Sequence, residues 1–530
     1  MSESDNDPPT GPPGRPPRIA PVQPQPAAHQ ALPVPYRNPP ARRWNIARDV
    51  TGVVLLVLAL AFPWNLYFGM GIPSSSGAVL GLLFLVTLLS VVSVGATYAG
   101  PWRLFGSRAN AVLAGRLRLS LNTPYLLLVF AFVVFDAVQT VRFGGSVKVP
   151  GGLGPGAWLG LAGSLLCAQP VITEAAADDS RFARWLASAR VVGYASIVAA
   201  VLSFVFTLYW RVRYALPGSA GASGFGKQNA AVIVTAVVYG VVALVAILVA
   251  SSWIVRDAKP FRLGTVALGV STLVAGLIVW ILPIGREIDG FHGIAQNTST
   301  AGVGFEGYLA WAAAAAILAP LALMQALSRR PIDENLWREA ARKGLLLIVV
   351  WCAGSFLMRI TDLVVAVSLN FPFSRYDSMV LAAFDLLTAV VAVWLRVNLV
   401  NLSLSARLVS SVCGLLVALT VARIVVGIEL APRFSAPKRP AGMNSAVYGN
   451  NLAQQITSTF DVVLCGLALG VLAVAILAGR RRRRIEQSPP RARADGRPPA
   501  RPTRPLRIHR PARDSTQRLP ADRPKIYRPP

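Results

Sequence analysis

The amino-acid sequence predicts an all-α fold, a polytopic transmembrane helix bundle of about 12 spans held between disordered Pro- and Arg-rich tails. Three observations predict it. Apolar runs of roughly 18 residues or more recur from Val50 to Ala478, each long enough to cross about 30 Å of hydrocarbon as a helix. The composition, 54% hydrophobic and only 14% charged with mean hydropathy +0.52, is too apolar for a soluble fold. The flanking arginines and lysines fall mainly on alternate connections, the pattern of a chain that crosses a membrane back and forth.

In lipid every backbone amide needs a partner within the segment, so each apolar run reads as a helix. The spans are expected at 50–70, 77–98, 123–141, 153–173, 192–210, 229–255, 263–284, 307–327, 344–369, 378–395, 408–427 and 455–479. An even number places both tails on one side. With the tails inside, 40 of the 52 Lys and Arg lie in the tails and inner connections, 10 in the outer connections and 2 within spans, which fixes the orientation by charge. Odd spans then run outward and even spans inward. Residues 1–46 lack the short apolar core of a cleavable signal, so the first span is expected to act as a retained start signal.

The chain thus divides into a Pro-rich cytoplasmic tail (1–46), a transmembrane domain (47–479) and an Arg- and Pro-rich cytoplasmic tail (480–530). Proline pairs such as Pro8-Pro9, Pro12-Pro13 and Pro16-Pro17 keep the first tail extended. The last tail opens on Arg480, Arg481, Arg482, Arg483 and Arg484 and carries 17 basic against 4 acidic residues. Such a stretch beside a bilayer is expected to contact anionic lipid headgroups, at about 1 kcal/mol per basic residue near the surface. A soluble partner of the Pro-rich tails is the other candidate. No aromatic platform interleaves the arginines of the last tail, which argues against nucleic acid.

Two inner connections, 179–190 and 331–343, have the alternation of apolar and basic residues of interfacial helices. Gly77-x-x-x-Gly81 and Gly466-x-x-x-Gly470 predict close helix packing, and Pro63, Pro170 and Pro320 predict kinks within spans. Asp136 and Asp362 fall in the third and ninth spans, a trace of a 6+6 repeat with little other sequence likeness to support it.

No catalytic, metal or nucleotide motif stands among the spans. Gly221-Ala-Ser-Gly-Phe-Gly226-Lys227-Gln228 matches a phosphate loop except at its last position, but it follows a membrane span where that loop needs a strand. Gly152-Leu-Gly154-Pro-Gly156 lacks the third glycine of a dinucleotide fingerprint. Cys167, Cys352, Cys413 and Cys465 sit in apolar runs with no C-x-x-C and no nearby His, so neither a cofactor nor a metal is expected. His29, His292 and His509 all lie outside the spans.

The chemistry that remains is the charge inside the membrane. Asp136, Arg359, Asp362, Asp385, Arg423 and Asp461 all fall in the outer half, five of them in the last four spans. A charge at the bilayer centre costs from about 2.5 kcal/mol upward, so such residues pair, face the bundle interior or line a path. Arg359 and Asp362, one turn apart, are expected to pair on one helix face, leaving Arg423 to meet Asp385 or Asp461. These charges read either as ion pairs holding the helices together or as a site for a solute, and four carboxylates against two arginines favour cations or protons.

Three function classes follow: a secondary transporter, which fits the span number and intramembrane charge; a scaffold using its tails; and a membrane enzyme of the glycosyl transferase type. The enzyme reading has only Glu287, Asp289, His292 and Glu306 of the 285–306 loop to draw on. At Arg48-Asp49, the apolar run after them and Pro63-Trp64-Asn65, the chain resembles uncharacterised actinobacterial polytopic membrane proteins with Pro- and Ala-rich tails. That resemblance implies a bacterial plasma membrane and carries over no site.

Overall fold

Long apolar runs leave the backbone no water to bond to, and in the computed structural model they satisfy themselves as helices. The structure describes residues 39–65, 68–72, 75–99, 108–143, 153–171, 183–216, 225–256, 258–281, 334–370, 375–399, 404–430 and 459–487. In chain order the helices are α1 (Pro39–Ala61), α2 (Gly77–Ala99), α3 (Arg108–Phe143), α4 (Pro155–Ala168), α5 (Ala183–Ala215) and α6 (Lys227–Val255). They continue with α7 (Lys259–Ile281), α8 (Glu334–Ser368), α9 (Arg375–Asn398), α10 (Ala406–Glu429) and α11 (Thr459–Gln487). Ten of the eleven are long and apolar enough to cross a membrane; α4 is not. The chain divides after Gly479, and of the second unit, residues 480–530, only the last turns of α11 are described.

Several ends differ from expectation for reasons of local chemistry. Pro63 does not kink the first span but ends it: α1 stops at Ala61, and beyond it Ser75 Oγ and Gly69 exchange hydrogen bonds. A proline disfavours helical geometry in the residue before it, which places the stop at Phe62. Pro170 likewise follows the end of α4. The segments expected as separate interfacial helices are continuous with spans, since α5 starts at Ala183 and α8 at Glu334. Pro124 lies inside α3 without ending it. Asn370, at φ 50, closes α8 in the left-handed conformation that Asn tolerates at helix C-termini.

Contacts between neighbouring helices confirm the alternation of direction. Tyr98, at the end of α2, reaches Asp49 near the start of α1, and Asn229, at the start of α6, donates to the Ala215 carbonyl at the end of α5. Helices α7 and α8 run the same way. Lys343, early in α8, lies 4.4 Å from the centre of the Phe261 ring, at the start of α7. Ile281 and Glu334 therefore end on opposite faces, and the eighth span expected at 307–327 lies outside the described residues. So do Pro320, the 285–306 loop and both tails up to the helix ends.

α4 is the least ordinary element. Its 14 residues extend only about 21 Å, and every residue except Leu161 is buried. Helix α1 packs along it at glycines: a Cβ on Gly163 would lie 2.8 Å from the Gly52 carbonyl, and one on Gly52 2.8 Å from Cys167 Sγ. The glycines singled out in the sequence behave otherwise. Gly77, Gly81 and Gly470 have open space where a Cβ would stand, and of the four only Gly466 packs tightly, on Ser271. Around the outside the helices present Val54, Leu127, Phe130 and Val364 to the surroundings, as a lipid-facing surface requires.

Candidate functional site

Helix α8 carries Trp351, Ser355, Arg359 and Asp362. At about 100° per residue these four fall within an arc of about 80°, a polar stripe climbing about 16 Å from mid-helix toward the C-terminal end. Helices α6, α9, α10 and α11 each send a polar group to it. Arg423 of α10 donates from Nη1 to Asp461 Oδ1 of α11 at 2.8 Å and from Nη2 to Ser355 Oγ at 3.0 Å, and its Nε pairs with Asp385 of α9. Ser355 Oγ donates in turn to Asp385 Oδ2 at 2.7 Å, and Trp351 Nε1 to Asp461 Oδ1 at 2.6 Å. All five side chains are buried.

The arginine fork explains why one residue can hold two carboxylates from different helices. Its donors point in fixed, divergent directions, which a lysine's single ammonium cannot reproduce. Removing one member of such a buried set costs about 3–5 kcal/mol, because the partners are left charged and dry. The expectation that Arg423 would meet Asp385 or Asp461 is thus exceeded, since it meets both.

Above this network the arrangement departs from expectation. Asp362 Oδ2 accepts a 2.5 Å hydrogen bond from Tyr239 Oη of α6, and no ion pair joins Asp362 to Arg359. A short O–H···O⁻ bond across the helix interface takes the carboxylate that the arginine one turn below was expected to hold. Arg359, only 3% exposed, has no hydrogen bond or ion pair among the described residues, and its Nε is buried without an acceptor.

Asp136 stands apart from these five. It is wholly buried on α3 and accepts from Asn65 Nδ2 at 3.3 Å, while its Oδ2 has no donor among the described residues. Asn65 belongs to the turn that Pro63 forces after α1, beside the ring contact of Trp64 and Phe132.

A second buried network escaped the sequence reading. Asp49 of α1 accepts from Arg48 at 2.8 and 3.0 Å, from Arg118 of α3 at 2.5 and 2.9 Å, and from Tyr98 of α2 at 2.7 Å. Two arginines against one aspartate leave a positive charge, and the end of α4 takes it up. Arg118 Nη1 donates to the Gln169 carbonyl at 3.3 Å and Arg48 Nη1 to the Pro170 carbonyl at 2.8 Å. These carbonyls lie at the negative end of the helix dipole, where cations are favoured. The other end of α4 is met by backbone, with Gly154 N donating to Trp64 O at 2.6 Å and Gly156 N to Pro63 O at 2.9 Å. A helix too short to reach the aqueous boundary thus has one end satisfied by the residues just after α1 and the other by arginines of α1 and α3. Arg118 went unnoticed because the third span was placed from residue 123, whereas α3 starts at Arg108.

Elsewhere the candidates resolve simply. Gly226 and Lys227 open α6, where Asn229 Oδ1 accepts from the Gly226 amide at 3.2 Å; residues 221–224 of the phosphate-loop-like stretch lie outside the described residues. Cys167, Cys352 and Cys413 are buried free thiols, and no group of three or more potential metal ligands occurs among the described residues. Arg480 to Arg484 lie on the final turns of α11, with Arg480 exposed; the side chains of the other four are outside the described residues.

Ten membrane-length helices, charges buried between them and lipid-facing apolar surfaces define a multi-pass membrane protein. Within that class, the chain belongs to the family described as a domain of unknown function, DUF7937, whose model matches residues 45–480. The match covers both charge networks. No curated protein and no solved structure matches the chain.

Proposed function

We propose that the protein is a transporter-like carrier of a small solute or ion in a bacterial plasma membrane, with both termini cytoplasmic. One observation carries the reading: the continuous polar stripe of α8, joined by charged or hydroxyl groups from α6, α9, α10 and α11. Ties needed only to hold two helices together require one pair at each interface. Here four helices converge on one face of a fifth, and the set reaches from mid-helix toward the outer end, as a solute path requires.

The test compares a deletion strain complemented with the wild-type chain or with Ser355→Ala, Arg359→Gln or Asp362→Asn, measuring folded yield and the uptake of a panel of labelled solutes. Variants that fold normally and lose uptake of one solute support transport. If they fold normally and every uptake profile stays wild-type, the reading is lost and the charges are structural ties. Deleting residues 485–530 separates this reading from a scaffold role, because a carrier keeps its uptake without that tail.

A further inference from the structure

We infer that the step between Arg359 and Asp362 on α8 recognises the head group of a small zwitterion, with a carboxylate bound at Arg359 and an ammonium at Asp362. The inference deepens the carrier reading and rests on it for the stripe being open to solute. The two residues are opposite charges three positions apart, so their Cβ atoms lie about 5–6 Å from each other. Such neighbours ordinarily close into an ion pair. Here they do not: Asp362 is drawn to Tyr239 through Oδ2, and Arg359 is buried without a hydrogen bond or ion pair among the described residues.

Charge balance selects the ligand class. Asp385 and Asp461 are held by Arg423 and hydrogen-bonded by Ser355 and Trp351, so the sequence-level surplus of carboxylates is largely consumed internally. Within the stripe, the charged group that makes no hydrogen bond or ion pair among the described residues is Arg359, a cation, whose free Nε–H calls for an anion. Yet the stripe as a whole, with Arg359 and Arg423 against Asp362, Asp385 and Asp461, carries a net negative charge, which repels a simple anion. A ligand bearing both charges a few ångströms apart satisfies both constraints. Its carboxylate accepts from the arginine fork, and its ammonium meets Asp362, which among the described residues accepts only through Oδ2.

The experiment uses the full-length protein in lipid nanodiscs, with glycine, alanine and larger amino acids as probes, and acetate and methylammonium at matched ionic strength as half-ligands. Thermal midpoint and titration calorimetry are the readouts. The expected result is stabilisation by at least one amino acid and by neither half-ligand, with affinity weakened about tenfold or more in Arg359→Gln and in Asp362→Asn. Arg359→Gln should fold at least as well as wild type, because it breaks no hydrogen bond or ion pair among the described residues and removes a buried charge; a merely structural arginine would lower the midpoint. If that variant fails to fold, Arg359→Lys keeps the charge without the fork and should bind more weakly. The inference is overturned if no amino acid binds, if acetate binds as tightly as the amino acid, or if folded Arg359 variants bind as wild type does. Binding without flux would sink the carrier reading and leave this site standing; flux of another solute without amino-acid binding would do the reverse.

Discussion

Arg423 and Asp461, 38 positions apart in sequence and on different helices, meet as a buried pair with Nη1 2.8 Å from Oδ1. The pair is one edge of a larger figure, since Asp385 and Ser355 meet the same guanidinium through Nε and Nη2, and Trp351 donates to the same Oδ1. This sharing makes the effects of substitution strongly non-additive.

Arg423→Gln is therefore expected to destabilise the bundle by about 3–5 kcal/mol, read as lost monodisperse yield and a lowered thermal midpoint. The exchange Arg423→Asp with Asp461→Arg restores the sign of that pair but sets an aspartate against Asp385. It should recover only part of the loss. Full recovery would show that Asp385 does not take part in the network.

Arg118→Met tests the network at the other end of the molecule. It strips two hydrogen bonds from Asp49 and one from the Gln169 carbonyl, so α4 loses a cation at its negative end. The expected cost is again about 3–5 kcal/mol in thermal or denaturant unfolding. Arg118→Lys keeps the charge but cannot reach Asp49, Gln169 and the Thr97 hydroxyl, which accepts from Arg118 Nη2 at 2.9 Å, all together, and should recover less than half of the loss.

What was legible in the sequence follows from the range of each interaction. Hydropathy is a property of local windows, and it located the ten long helices because lipid forces every backbone bond to stay within its segment. Arg423, Asp385 and Asp461 were recognisable because a charge inside an apolar run is conspicuous. The Arg48–Asp49–Arg118 network was hidden because its members sit where helices emerge from the apolar runs, and charge there is ordinary. The shortness of α4 was hidden too: residues 153–173 are apolar enough for a span, and only the docking of Gly154 and Gly156 on the Pro63 and Trp64 carbonyls shows where the helix begins. Arg359 and Asp362 were misread as a pair because Tyr239, which takes Asp362, is 123 positions away.

The glycines give a prediction that separates motif from environment. Gly163→Ala places a methyl 2.8 Å from both the Gly52 carbonyl and Leu56 Cγ, so α1 and α4 must part. A loss of about 1–3 kcal/mol is expected, the usual range for overpacking. Gly81→Ala, in the segment with the familiar Gly-x-x-x-Gly spacing, meets nothing within 4 Å and should be neutral or slightly stabilising as a better helix former. Thermal midpoints of the two variants in one detergent decide the matter; equal losses would mean that α2 packs on a second copy of the chain through Gly81.

Orientation can be settled by reagent access. Met70, 60% exposed in the turn after α1, and Arg184, exposed at the start of α5, lie at opposite ends of the alternating helices. The proposed orientation, which rests on the excess of basic residues on the connections that include Arg184, puts that end in the cytoplasm. In a background with Cys167, Cys352, Cys413 and Cys465 replaced by alanine, Met70→Cys should react with a membrane-impermeant maleimide added to intact cells. Arg184→Cys should react only after the membrane is opened. The reverse pattern would invert the topology, placing the polar stripe of α8 in the cytoplasmic half and turning any solute site there toward the cell interior.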